Sequence, residues 1–257
     1  MSDREERFQV DGQPTVSLRV PVGDVRVDRG EPGEVLVRLR GSERDLARYL
    51  IEQRGDTITI EPQRGGMGRW SAVSVLVEVG DPAELRARLA AADLKVAVPL
   101  VGLEVDTASG DMAAGDVDGD VRIKSASGDV QLGDVSGSVD VATASGDLAG
   151  GAIEESLSVK TASGDVDLGT VAGDVVMRSA SGDLDIRVFT GDDLDAKTMS
   201  GDVTLGVTPG RVFEVSFQTM SGDVRTDFPV SSDGASGSPA RLTVRSMSGD
   251  VTIHSAG

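Results

Sequence analysis

Polar and apolar residues alternate along most of the chain, and from Ser109 onwards the alternation repeats as a unit. The unit reads hydroxyl-Ala-Ser-Gly-Asp-apolar-x-apolar, which is the period-2 pattern of β-strands. Successive Ser-Gly-Asp steps are separated by 18, 18, 18, 18, 19, 21 and 27 residues. Their serines are Ser109, Ser127, Ser145, Ser163, Ser181, Ser200, Ser221 and Ser248. Regular spacing of this kind indicates a solenoid, in which each repeat stacks on its neighbours.

Each repeat also carries the marks of two strands and two corners. A second Gly-Asp-like step falls half a repeat after the first, as at Gly119-Asp120 and Gly173-Asp174. Glycine is expected at a corner, because a Cβ would clash where the chain turns. Period-2 alternation then predicts Ala, Gly, Val and Leu on the inner face and Thr, Ser and Asp on the outer face. The predicted corner glycines are Gly110, Gly128, Gly146, Gly164, Gly182, Gly201, Gly222 and Gly249.

These features predict an all-β fold, a single-stranded β-solenoid (β-helix) with coils of roughly 18 residues. One coil cannot bury its apolar face alone, so coils stack with parallel backbones about 4.8 Å apart. Residues 81–257 are predicted to form the regular solenoid. Residues 1–80 are predicted to form an irregular N-terminal β region that caps it, within one continuous domain. The Ser/Gly-rich residues 231–239 are predicted as the loop behind the 27-residue spacing.

Two interpretations of residues 81–92 stay open at this point. A step of 18 residues back from Ser109 reaches Ala91-Ala92-Asp93, which extends the repeat and predicts strand. Asp81-Pro82-Ala83-Glu84 instead has a cap, Pro at the first position and an acid in the first turn, which favours a helix.

The N-terminal third has a mixed pattern. Gly23-Asp24-Val25 resembles the repeat unit, and several short alternating segments predict strands. Residues 42–53 are the best candidate for one short helix, with Ser42 and Asp45 as a cap pair. The Gly-rich, basic residues 64–69 predict a loop.

Composition narrows the classes of partner. The formal net charge of −18 repels phosphate backbones, so nucleic acid is an unfavourable partner. There is no Cys, which excludes disulfides and thiolate metal sites. No apolar run approaches the roughly 18 residues of a membrane span, and the N-terminus has no apolar signal segment. We therefore expect a cytoplasmic protein without direct membrane insertion.

The spaced Thr-Ala-Ser-Gly-Asp-Val units, together with Gly-Asp-Val-Arg-Val at residues 23–27, resemble the bacterial putative-adhesin family of β-strand-repeat proteins. The resemblance runs from about Val16 to the end of the chain and is strongest over residues 105–225. It implies a β-solenoid fold, a largely undefined molecular function and a link to envelope stress. It implies no catalytic residues, and this sequence shows no anchor or export signal.

The aspartates of the repeat are expected to form a column of like charges. Their repulsion must be offset, because carboxylates stacked in this way repel by roughly 1 kcal/mol per neighbour even in bulk water. Bound Ca²⁺ would offset the repulsion, since it takes six to eight oxygen ligands. The Gly-Gly-x-Gly-x-Asp turn of calcium-ordered β-rolls is absent, however. We favour the interpretation that each Asp accepts a backbone N–H at its corner. The candidate Ca²⁺ ligands are Asp111, Asp129, Asp147, Asp165, Asp183 and Asp202.

The residue before Ser-Gly-Asp changes from Ala in the first five repeats to Met199, Met220 and Met247 in the last three. Because the later repeats are longer, we interpret these Met residues as fillers of a wider interior. The alternative is a Met-bearing terminal coil that docks on a partner or on another copy.

No catalytic constellation stands out, so the sequence predicts a non-enzymatic scaffold or adhesin-like, protein-binding module. Its expected partner is a protein or a second copy bound through the solenoid ends, and no cofactor is expected. The first alternative is a Ca²⁺-ordered β-roll that uses the Asp column. The second is a glycan-acting β-helix enzyme, which would need paired carboxylates in a cleft near Trp70.

Overall fold

The computed structural model describes residues 2–63, 71–80, 82–209, 211–227 and 239–256. Their regular structure is almost entirely β-strand, with one helical turn among the described residues. The chain divides into two compact units, Met1–Gln131 and Leu132–Gly257. The all-β class predicted from the sequence is confirmed. The predicted division between residues 80 and 81 stays a prediction.

The N-terminal unit contains helix α1 and the strands up to β11, whose final residue begins the next unit. The elements are β1 (Ser2–Gln9), β2 (Thr15–Arg29), β3 (Glu34–Gly41), α1 (Glu43–Leu46), β4 (Tyr49–Arg54), β5 (Thr57–Pro62), β6 (Val73–Val79), β7 (Ala83–Val96), β8 (Leu100–Thr107), β9 (Met112–Ala114), β10 (Val121–Ser125) and β11 (Val130–Leu132).

Two long strands, β2 and β7, organise this unit. The first part of β2 pairs with β5 and the second part with β6, while nearly its whole length pairs with β7, always in parallel. Strand β7 pairs in the same divided way with β8 and β9. Strand β2 passes from one partner to the other at Gly23, where φ is +134° and a Cβ would lie 2.1 Å from the Val73 carbonyl oxygen. Only glycine fits this corner.

The pairing of β7 shows that the repeat begins before its motif is visible. Asp93 aligns with Asp24 on one side, and Leu94 aligns with Met112, 18 residues later, on the other. The strand alternative for this segment is therefore correct from Ala83 onwards, and the helix alternative is wrong. Pairing on both edges outweighs the helix-start chemistry, which is worth little without tertiary contacts. Residue 81 lies outside the described residues.

The outer strands of the unit run antiparallel. Strand β1 pairs with β3, β3 with β6, and β4 with β5. The Arg4 guanidinium donates hydrogen bonds to the carbonyl oxygens of Leu46 and Tyr49, at 3.3 and 2.6 Å. These bonds hold β1 against the end of α1 and the start of β4.

Helix α1 is much shorter than predicted. The Ser42 hydroxyl accepts the backbone N–H of Asp45 at 3.1 Å and donates to its carboxylate at 2.6 Å, so the predicted cap pair is confirmed. The helix ends at Leu46, however, and β4 replaces the remaining turns of the helix predicted over residues 42–53. The antiparallel ladder between β4 and β5, with Tyr49 buried, overrides the local helical pattern.

The C-terminal unit contains β-strands throughout its described residues. They are β12 (Val139–Ala142), β13 (Leu148–Ile153), β14 (Leu157–Lys160), β15 (Val166–Val171), β16 (Val175–Arg178), β17 (Leu184–Phe189), β18 (Asp193–Lys197), β19 (Val203–Val207), β20 (Phe213–Ser221), β21 (Val224–Thr226), β22 (Ala240–Ser248) and β23 (Val251–Ser255).

Consecutive coils of this unit stack in parallel, as the repeat predicts. Strand β13 pairs with β15 and β15 with β17, each in a register of 18 residues. Like residues therefore form columns, and Leu168, Ile186 and Leu205 lie in one column with 0 % of their surface exposed. Burial of such columns is the main source of stability, at about 25 cal/mol per Å² of apolar surface.

The last two coils do not stack in chain order. Strands β18 and β19 pair with β22 and β23, so that Val203 lies beside Val251, 48 residues away. Strands β20 and β21 pair with the far edges of β22 and β23. We call β20 and β21 the outer coil, because it lies beyond a coil that follows it in the chain. The 48-residue step from Ser200 to its stacking partner Ser248 therefore contains the bypassed outer coil. Of the predicted loop, residues 231–238 lie outside the described residues.

Candidate functional site

The corner aspartates form a hydrogen-bonded ladder in each unit. In the N-terminal unit, the Asp93 carboxylate accepts the N–H of Asp111 at 3.0 Å, and the Asp111 carboxylate accepts that of Asp129 at 3.1 Å. In the C-terminal unit, the same bond at 2.7–2.9 Å runs from Asp165 to Asp147, Asp183 to Asp165, Asp202 to Asp183, Asp250 to Asp202 and Asp223 to Asp250. The predicted role of Asp as an acceptor of a backbone N–H is confirmed, but the donor belongs to the neighbouring coil and not to the same corner.

The ladder places a backbone donor against one oxygen of each accepting carboxylate, which offsets part of the repulsion between neighbouring charges. In the part of the chain that the structure describes, no group of three or more His, Cys, Asp or Glu side chains could hold a metal ion. The Ca²⁺ alternative for this column stays a prediction, as does the expectation that the protein needs no cofactor.

The hydroxyl that precedes each motif lies on the inner side of its corner. Ser125 and Thr198 donate to the carbonyl oxygens two residues further on, at 2.8 and 3.1 Å. Thr198 and Ser246 are buried. The predicted outer face for this column is therefore wrong. Inward-facing residues occupy every second position of a strand, as Leu242 and Val244 do in β22. The next inward position is the hydroxyl residue Ser246, at the corner.

The Ala or Met position, by contrast, lies on the surface. Met199, Met247 and Met220 are 57 %, 51 % and 83 % exposed. The serines that follow them pair from coil to coil, so the three side chains occupy consecutive layers. We call these three residues the Met column. Our interpretation of them as interior fillers is wrong, and the inward phase of Leu242 and Val244 was the signal that places Met247 outside.

A charged groove of about 350 Å³ lies on the outer sheet face of the C-terminal unit, where Asp195 and Arg245 contribute to its walls. Arg178 donates to the Asp195 carboxylate at 2.6 Å. Burial raises the pKa of Asp195, but the hydrogen bonds from Arg178 and Lys197 leave that pKa below its ordinary value. This carboxylate is therefore ionised and paired at neutral pH, which is unlike a catalytic acid.

A second groove, of about 250 Å³, lies on a sheet face of the N-terminal unit. Its charged side chains include Arg88 and Asp106, whose charged atoms lie 3.9 Å apart. Arg86 in the same groove forms an ion pair of 2.7 Å with Glu84. Paired charges of both signs suit the binding of polar groups more than acid–base chemistry. The cleft that the enzyme alternative predicts near Trp70 lies outside the described residues.

The outer coil is poorly covered. Val215 and Phe217 pair with Leu242 and Val244, whose exposure is 0 %, yet Val215 and Phe217 themselves are only half-buried. Val224 of the same coil is 43 % exposed. Among the described residues, the inward row of this coil therefore has a neighbouring layer on one side only.

The parallel coils and corner ladders define a β-solenoid repeat protein. More specifically, the chain belongs to the Toastrack DUF4097 family, which it matches over residues 15–255. The resemblance to a putative-adhesin family is thereby confirmed. No curated protein matches the chain. No helix among the described residues is both long and apolar enough to cross a membrane. The expected cytoplasmic location stays a prediction.

Solved structures similar to the chain include two putative adhesins. The one from Bacteroides fragilis has 12 % identity and a TM-score of 0.40, covering 98 % of this chain and 97 % of that chain. The one from Parabacteroides distasonis has 14 % identity and a TM-score of 0.45, with the same coverage. A putative lipid binding protein from Parabacteroides distasonis has 14 % identity and a TM-score of 0.41, covering 98 % and 96 %. None of these likenesses extends to function.

Proposed function

We propose that the protein is a non-enzymatic scaffold, which binds a protein partner through the Met column and associates with itself through the outer coil. The Met column is the observation that carries this proposal. Three long apolar side chains lie exposed in consecutive layers, and contiguous apolar surface on a soluble fold marks an interaction site. Methionine suits such a surface, because its flexible thioether adapts to the partner.

The charge around the Met column limits the kind of partner. Each of its three methionines is followed, three residues later, by a corner aspartate: Asp202, Asp250 or Asp223. The column is therefore an apolar stripe beside a line of carboxylates on a chain of net charge −18. A partner that presents an apolar ridge flanked by Lys or Arg is complementary to it. The link to envelope stress that the family resemblance implies stays a prediction.

Replacement of all three methionines by Gln tests the proposal, since Gln keeps the length of Met but is polar. The matched control is the replacement of Ala144, Ala162 and Ala180 by Gln. These alanines occupy the same position of the repeat, before Ser-Gly-Asp, in earlier coils of the same unit. Cross-linking in the source cell identifies the partner, and titration calorimetry then measures its affinity. We expect the Met variant to bind at least tenfold more weakly, about 1.4 kcal/mol, and the control to bind like the unmodified protein. Equal affinity of both variants contradicts the proposal.

A further inference from the structure

We propose that β20 pairs with β20 of a second copy, antiparallel and centred on Phe217, to form a two-fold symmetric dimer. This inference specifies the self-association part of the proposed function and rests on it. It names the strand, the register and the occupant.

One edge of β20 is available for such pairing. Among the described residues, β20 pairs only with β22, and β21 only with β23. An edge strand presents a row of N–H and C=O groups that another strand can use. The half-buried Val215 and Phe217 project from the same strand, so a second strand would cover apolar surface as well as backbone groups.

The backbone groups that face this edge can be identified. The N–H of Ala240 donates to the Val212 carbonyl oxygen at 3.0 Å, which fixes the phase of the ladder between β20 and β22. Since successive residues of a strand direct these groups to opposite edges, the groups of Glu214, Ser216 and Gln218 face β22. Those of Val215, Phe217 and Thr219 face the opposite edge, which no described strand occupies.

This phase allows two copies to pair about Phe217. Phe217 then lies opposite its own copy, and Val215 lies opposite Thr219 of the second copy, both as hydrogen-bonded pairs. Ser216 lies opposite Gln218, with side chains on the solvent face, where both residues are exposed. No position places like charges opposite each other, because residues 215–221 contain no charged residue. The edge is thus complementary to itself, which is why a second copy is the occupant.

The net charge of each copy opposes the dimer at long range. Two chains of charge −18 repel, and salt screens this repulsion over about 8 Å at physiological ionic strength. Pairing through the uncharged residues 215–221 is not itself weakened by salt. The dimer should therefore become tighter as the salt concentration rises, unlike an interface held by ion pairs.

Two charge variants of the full chain test the register. In S216K/Q218K, each Lys faces a Lys of the second copy. In S216K/Q218E, the same positions bring Lys opposite Glu. Sedimentation equilibrium at low and high salt should show a dimer for the unmodified protein and for S216K/Q218E, and at least tenfold weaker association for S216K/Q218K. Unchanged circular dichroism and melting would show that all three chains are folded.

A monomeric unmodified protein at about 100 μM in high salt overturns the proposal, as does equal behaviour of the two variants. So does a monomer that dimerises only after residues 228–238 are replaced by a Gly/Ser linker, because the edge would then be occupied by its own chain. Partner binding is measured separately with the Met variant. Unchanged partner binding by the Met variant, with an intact dimer of the unmodified protein, refutes only the partner half of the proposed function. Weaker partner binding by the Met variant, with a monomeric unmodified protein, refutes only this inference.

Discussion

The edge strands β1 and β20 deal with the same problem in opposite ways. Strand β1 begins Ser-Asp-Arg-Glu-Glu-Arg, and Glu5 makes ion pairs with Arg38 at 2.8 Å and Arg7 at 3.1 Å. Hydrogen bonds from the side chains of Arg38 and Arg7 lower the pKa of Glu5, so its charge persists in mild acid. Strand β20 presents an uncharged segment, residues 215–221, with Phe217 half-buried.

The two strands differ in whether their exposed edge can accept another strand. Charged side chains on an edge strand prevent a second strand from pairing, because docking would strip them of water. Strand β1 carries such charged side chains. Helix α1 and strand β4 cover the layer next to it, where Tyr49 is buried. Residues 215–221 of β20 lack such charged side chains. An edge without charged residues is what the proposed dimer through β20 requires, and four predictions sharpen this comparison.

The largest effect is expected from the aromatic residues of the C-terminal unit. Phe189 is 0 % exposed within a fully covered layer, whereas Phe217 lies half-buried in the outer coil. Phe189→Ala should destabilise the unit by about 4 kcal/mol, since it leaves a cavity. Phe217→Ala should cost the isolated monomer about 1 kcal/mol. Urea unfolding followed by circular dichroism measures both. Equal losses would show that the outer coil is covered after all.

Corner glycines offer a second comparison. At Gly201 and Gly222, φ is +152° and +153°, and an added Cβ would lie 2.2 and 2.1 Å from a carbonyl oxygen of the next coil. Gly201 has coils on both sides, but Gly222 lies in the outer coil, which can shift away. Gly201→Ala should cost about 3 kcal/mol and Gly222→Ala about 1 kcal/mol. Thermal melts of the two variants decide this, and a larger loss for Gly222→Ala would contradict it.

The buried Tyr49 makes the closed edge sensitive to alkali. Burial raises the pKa of Tyr49 to about 12. Because its unfolded pKa is about 10, the folded state holds this proton more tightly. The resulting stability is present below about pH 10 and is lost as the pH rises towards 12. Tyr49→Phe should therefore gain about 1 kcal/mol over the unmodified protein at pH 11.

Absorbance of the phenolate checks this directly, because Tyr49 is the single tyrosine of the chain. Ionisation should coincide with loss of structure in the N-terminal unit. A phenol that titrates near pH 10 in the folded protein would contradict the burial of this side chain.

The smallest change in stability is expected from β1 itself. E5T/R7T removes two exposed charges from an edge strand, and R26T/D28T removes an exposed pair of 2.7 Å from β2, which is paired on both edges. Both variants keep the net charge, and each should alter stability by less than about 1 kcal/mol. Only E5T/R7T should aggregate at high concentration, as light scattering would show. Aggregation of both would remove the guarding role of β1.

The repeat made much of the fold predictable. The 18-residue spacing predicted stacked layers, because columns of like residues stack only in one register, and the second Gly-Asp-like step predicted two strands per coil. The spacing also reached back to Asp93, but the sequence left residues 81–92 open between strand and helix. The order of the last coils was not predictable. Val203 pairs as readily with Val251 as it would with Val224, since both follow the same Ser-Gly-Asp step, so local sequence cannot choose between them.

The candidate site was predicted less well. The hydrogen-bonding role of the aspartates followed from corner chemistry. Period-2 alternation continued through Ser-Gly predicts the Met column on the inner face, but the corner at Ser-Gly reverses the phase of the alternation. Counting in steps of two from Leu242 gives the correct face. The helix predicted after Ser42 failed for a different reason, since pairing with a distant strand decides the structure of that segment.

The bypassed coil also affects the order in which the layers can form while the chain is being synthesised. Layers built from a growing chain can settle one by one only while each layer follows its neighbour in sequence. At the end of the C-terminal unit this order fails, because β22 and β23 must be in place before the outer coil has anything to rest on. While β20 and β21 have been synthesised but β22 and β23 have not, the strands on which the outer coil stacks are missing. We therefore expect the outer coil to be the last layer of this unit to form.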